Sequence, residues 1–299
     1  MKKIFVLAAM VLGVSAAYAG DSEPLKAITK SKTYAEAEAL LNSTLDQLAS
    51  PQEKAKAYNK LYELSIKDFE TVSAVIAENQ KAAVMKTDQK AYDTASYYNS
   101  AYNAVKAAVE CDKYDGQPDA KGKVKIAYRN DEVRLQKLMQ ARLELVNAGQ
   151  WIDGKNDESG LLKYWGMFLN SRNTSLFEKL PKEPFLGQVA FYAGAYAERA
   201  GQFKQADKYF DIAMQDPEWA EKAQNAKFEV AGKNLKTQAD TLRYIGQLKE
   251  LYTQKNSEVA FSVLCKLYSS SNMTKDLNAL VEDMLKKNPK NFLALAYHT

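Results

Sequence analysis

A chain of 299 residues with 46% hydrophobic and 26% charged residues is long enough for more than one core and too apolar to stay disordered. Its 41 Lys+Arg against 37 Asp+Glu leave no basic excess of the kind that holds nucleic acid or an anionic membrane by bulk charge. Thirteen glycines and seven prolines are few, so the many Ala, Leu, Lys, Glu and Gln residues favour helix.

The first element is a leader. Lys2-Lys3 forms a basic start, Ile4 to Ala17 is apolar but too short to span a bilayer, and Ala17-Tyr18-Ala19 offers small residues at the cleavage positions. Residues 1–19 are therefore expected to be a cleaved signal peptide, the alternative being a single-span anchor. Loss of Lys2 and Lys3 leaves 39 basic against 37 acidic residues. No later apolar run approaches membrane-spanning length, so the mature chain is expected to be exported, periplasmic or secreted, with no transmembrane segment.

From residue 20 to 139 the chain reads as helices of loosely repetitive pattern. One spans about Tyr34 to Leu48 with Ala37, Leu41, Leu45 and Leu48 inward. Ser50-Pro51-Gln52-Glu53 opens the next, since Ser50 can cap, Pro51 needs no N–H partner and Glu53 closes a capping box. Tyr58, Leu61, Tyr62, Ser65, Phe69, Val72 and Ile76 follow at the spacing of one buried face. A third helix is expected from Asp88 to Glu110, facing inward with Tyr98, Ala101, Tyr102 and Val105. Residues 113–129 hold Gly116, Pro118 and Gly122 among several lysines and read as a basic loop, solvated or else an anion site. Helices resume near Asp131.

The two cysteines, Cys111 and Cys265, read as separate buried thiols, the alternative in an exported chain being a single disulfide. His298 is the only histidine, which removes His-based triads and His-rich metal sites. No Gly-rich phosphate loop is present, because Lys121-Gly122-Lys123 is a basic turn. No catalytic residue, cofactor or metal is expected, and an enzyme is the least favoured class.

Residues 140–299 carry a repeat. From Glu258, Phe261, Leu264, Cys265 and Tyr268 mark one helix, Leu277, Val281 and Met284 the next, and Pro289 closes the unit. This spacing resembles the tetratricopeptide repeat, a helical hairpin of about 34 residues with large, small and aromatic residues at fixed intervals. A second copy has Gly194 on its first helix, Gly201-Gln202-Phe203 at the turn, and Ala206, Phe210 and Ala213 on its second. Gly194 is expected to lie against Ala206. In a weaker upstream copy Ala148-Gly149-Gln150-Trp151 parallels Ala193-Gly194-Ala195-Tyr196, with Gly160, Tyr164 and Met167 on the second helix. The last unit breaks off after one helix, from which a longer natural chain is expected, the alternative being a single capping helix that ends the array.

The resemblance implies an all-α fold, a right-handed superhelical α-solenoid of stacked antiparallel helix pairs, in an exported bacterial member of the family. It further implies a groove lined by the second, fifth, ninth, twelfth and thirteenth residues of each first helix. Carried onto this sequence, these are Gln188, Phe191, Ala195, Glu198 and Arg199 in one unit. In the last complete unit they are Val259, Ser262, Lys266, Ser269 and Ser270, and in the upstream copy Gln150 and Asp153. The implied function is non-catalytic capture of a protein or peptide partner. The alternative is binding of a cell-envelope glycan on aromatic residues left outside the core pattern, such as Phe191, Tyr192, Tyr209, Trp165 and Trp219. Both readings remain open on sequence.

Overall fold

The structure, a computed structural model, describes residues 20–155 and 157–298; the expected signal peptide lies outside the described residues. Helix makes up 74% of the described residues, which contain no strand, so the described fold is all-α. Two compact units divide at Ala141/Arg142.

The first unit holds α1 (Glu23–Lys30), α2 (Tyr34–Thr44), a 3-10 turn (Leu45–Gln47), α3 (Pro51–Met85), α4 (Thr94–Asp115) and the start of α5 (Glu132–Asp153). The expected helix 34–48 thus ends as a 3-10 turn, although Leu48 is still buried. Ser50 caps α3 by accepting the Glu53 N–H at 3.2 Å, and Pro51 begins the helix. Glu53 completes the cap one residue further back than a capping box requires. Its carboxylate accepts the Ala49 N–H at 2.8 Å, and also the Ser22 N–H and hydroxyl at 2.6 and 2.7 Å. Burial pushes this carboxyl up, but the Ser22 and Ala49 donors outweigh it and hold the group below its ordinary value. One acid therefore joins the starts of α1 and α3.

The long helices α3 and α4 pack along each other through a seam rich in small residues, with Ala57, Ala101, Ala104, Val105 and Ala108 at 2% exposure or less. The helix expected from Asp88 starts instead at Thr94, because the Asp93 side chain accepts the Ala95 and Ser96 N–H groups and fixes the N-terminus there. It then runs on to Asp115, into the expected loop. The loop lysines Lys121, Lys123 and Lys125 are exposed, while buried acids tether the loop backbone. Asp115 accepts the N–H groups of Ala127 and Tyr128, and Asp112 pairs with Arg129 at 2.6 Å.

The second unit continues α5 into α6 (Glu158–Arg172), α7 (Leu186–Arg199), α8 (Phe203–Ala213), α9 (Ala220–Lys233), α10 (Gln238–Lys255), α11 (Glu258–Ser270), α12 (Thr274–Lys287) and α13 (Phe292–Tyr297). Chain neighbours pack in succession, α6 on α7, α7 on α8, and so on to α13. Gly201 makes the α7–α8 turn at φ +71°, a conformation that disfavours side chains.

Close approach at two glycines governs the first pairs. A Cβ placed on Gly194 falls 2.6 Å from the Phe210 ring, so the space is filled by that ring and not by Ala206. A Cβ on Gly149 falls 2.1 Å from the Trp165 indole. The sequence marks Tyr164 as the aromatic of this second helix, and the structure seats its neighbour Trp165 on the glycine. Leu161 and Phe168 are fully buried, while Gly160 and Met167 are half-buried. The ambiguity has a physical source: both neighbours of the seam, Tyr164 and Trp165, are buried aromatics. Further along, Phe261, Leu264, Cys265, Tyr268, Val281 and Met284 share one core, with Leu277 partly buried at its edge.

The link between α6 and α7 is held by a buried cation. Arg142, 2% exposed, donates to Ser171 Oγ and the Phe168 carbonyl, both at 3.0 Å, and pairs with Glu183. Arg172 donates to the carbonyls of Phe177 and Leu180 at 2.6 and 2.8 Å. The connecting backbone is thereby satisfied from inside.

Candidate binding cavity between α5 and α7

Between α5 and α7 of the second unit lies a cavity of about 630 Å³. One stripe of α5 supplies Leu143, Val146, Asn147, Gln150 and Asp153, and a stripe of α7 supplies Gln188, Val189, Tyr192 and Tyr196. Trp165 of α6 and Phe185 complete the lining. Both stripes follow the three-four spacing of one helix face, so each helix turns a single side to the cavity. The Gly149–Trp165 contact has a direct consequence here: the indole sits close enough to α5 for its N–H to reach the Val146 carbonyl at 3.1 Å.

Trp165 and Tyr196 meet edge to face, with centroids 6.1 Å apart and planes at 76°. The Tyr196 hydroxyl donates to Asp153 Oδ1, joining the ends of α5 and α7. That bond, with burial adding to it, pushes the phenol above its ordinary value, so it stays a neutral donor. Beyond this bridge lies a smaller recess of about 260 Å³, lined by Asp153, Asp157, Glu158, Leu161, Tyr196 and Arg199. Arg199 pairs with Glu158 at 3.2 Å and lies 4.2 Å from the centre of the Tyr196 ring.

Of the residues the sequence places in a groove, Gln150, Asp153 and Gln188 line the cavity, and Arg199 lines the recess with Asp153. Phe191 instead packs into the core, 5.1 Å from Trp219 and 5.8 Å from Phe210. Glu198 pairs with Lys233 at 2.7 Å, and Ala195 is half-buried. Val259, Ser262, Lys266, Ser269 and Ser270 lie on α11, exposed or half-buried, and line neither cavity. Among the aromatics outside the core pattern, Trp165 and Tyr192 line the cavity, whereas Tyr209 and Trp219 are buried. Tyr196 and Val146 went unmarked in sequence. The signal for them is the matched stripe, Gln188-Tyr192-Tyr196 on one helix and Val146-Gln150-Asp153 on the other.

Both cysteines are buried and unpaired, and burial pushes each thiol up to about 12, far from thiolate chemistry. Among the described residues no His/Cys/Asp/Glu group is placed to hold a metal ion, and no helix is long and apolar enough to cross a membrane. No family model matches the chain, nor does any curated protein or solved structure.

Proposed function

We propose that this chain is an exported, non-catalytic binding scaffold of the tetratricopeptide type, a superhelical α-solenoid that holds an extended peptide segment of a protein partner. The observation that carries the reading is the cavity between α5 and α7, mainly apolar within and edged by carboxamides, which is the usual make-up of a recognition pocket. The recurring seam supports the stacked-repeat part. Gly149 and Trp165, Gly194 and Phe210, and Cys265 and Val281 are each sixteen residues apart, and all six residues are buried. A hairpin of this kind leaves its outer apolar face to the next one, so stacking and groove formation go together. A glycan is the weaker occupant, because Trp165 is only 7% exposed and offers no open ring face for a sugar to stack on.

A photocrosslinking residue at Tyr192, 43% exposed at the cavity mouth, is expected to capture a polypeptide from the native envelope. The same residue at Leu242, 53% exposed on α10, serves as the control. Capture should be specific to the Tyr192 position and be blocked by Gln188→Arg in the same chain. Equal capture from both positions rejects the groove, and a crosslink to polysaccharide instead favours the glycan alternative.

A further inference from the structure

We propose that the α5–α7 cavity selects a basic side chain, arginine or lysine, presented by the bound segment; the proposal rests on the scaffold reading above. Charge complementarity points there first. Asp153 is the sole charged residue lining the cavity, and no lysine, arginine or histidine lines it. The adjoining recess adds Asp157 and Glu158 against one cation, Arg199, which Glu158 already pairs at 3.2 Å. A segment carrying acidic side chains meets like charge here, and a basic one meets opposite charge.

Ring chemistry points the same way. Tyr192, 43% exposed and lining the cavity, supplies an aromatic ring whose quadrupole attracts a cation. The chain uses this chemistry on itself at the same end of α5. Arg199 lies 4.2 Å from the Tyr196 ring centre, and Lys155 lies 3.5 Å from that of Trp151. Leu143, Val146 and Val189 supply the apolar wall that a long methylene stem covers while its charged end reaches Asp153. The Tyr196 hydroxyl fixes Asp153 Oδ1 beforehand, so a guanidinium arriving at the carboxylate finds it already oriented.

The test titrates the full chain with acetylated, amidated pentapeptides, Ala-Ala-X-Ala-Ala, where X is Arg, Lys, Leu, Phe or Glu, followed by tryptophan fluorescence up to millimolar concentration. The Arg and Lys peptides are expected to bind about tenfold more tightly than Leu or Phe, and Glu most weakly. Asp153→Asn should erase that preference, with circular dichroism confirming the fold. On the unmodified chain, Arg-peptide binding should weaken as salt rises, and Leu-peptide binding should not. Tighter binding of Leu or Phe than of Arg overturns the basic-side-chain selection but leaves the peptide groove standing. No peptide binding at all, or a response to oligosaccharides alone, overturns both.

Discussion

The pair formed by the C-terminal half of α5 with α6 and the pair formed by α7 with α8 solve one packing problem with the same device. Each seats an aromatic ring on a glycine sixteen residues earlier, Trp165 on Gly149 and Phe210 on Gly194. They differ in what the ring does next. Phe210 is fully buried and continues inward to Phe191 and, through it, Trp219. Trp165 keeps one side in the cavity and spends its N–H on the Val146 carbonyl. The same seam thus yields a core in one pair and a binding wall in the other. The difference lies in the residues flanking the ring and not in the seam.

The strongest way to break the comparison is at the link between the two pairs. Arg142→Ala removes the guanidinium bonds to Ser171 Oγ and the Phe168 carbonyl and leaves Glu183 with only Arg172, at 3.5 Å, as its cation, and it is expected to cost about 3 kcal/mol in urea unfolding. A loss under about 1 kcal/mol would show that the linker does not depend on this cation.

Substituting the two glycines sharpens the comparison directly. Gly149→Ala puts a methyl group 2.1 Å from the indole, so the ring must leave its seat. A loss of about 2 kcal/mol is expected after the gain in helix propensity is counted, together with a change in Trp165 emission. Gly194→Ala meets Phe210 at 2.6 Å and is expected to cost about 1 kcal/mol, with tryptophan emission nearly unchanged. Because the second clash is with a ring and not with backbone, Phe210→Leu in the Gly194→Ala background should recover part of the loss. Equal effects on emission from both glycines would contradict the division into a core ring and a cavity ring.

Much of the helical framework was legible beforehand for local reasons. Ser50-Pro51 and Gly201 act on their own backbone, and Phe261, Leu264, Cys265 and Tyr268 keep the spacing of a buried face whatever packs against it. The errors arose where a contact outside the helix decided the outcome. Asp93 delayed α4 by capping it, and Asp115 kept the helix going by using its carboxylate on the loop. On the candidate site the sequence marked Gln150, Asp153 and Gln188 through a resemblance, yet the same rule also marked Phe191, which the core absorbs, and Glu198, which Lys233 takes.

By itself, then, the sequence determined an all-helical pattern and the buried faces of its helices, since these follow from helix periodicity. Only the tertiary structure decided which aromatic ring takes each glycine seat, which polar residues are already satisfied by neighbours, and which stripes of α5 and α7 share a cavity. Those outcomes depend on side chains distant in sequence competing for the same space and the same hydrogen bonds, and no local pattern records who wins.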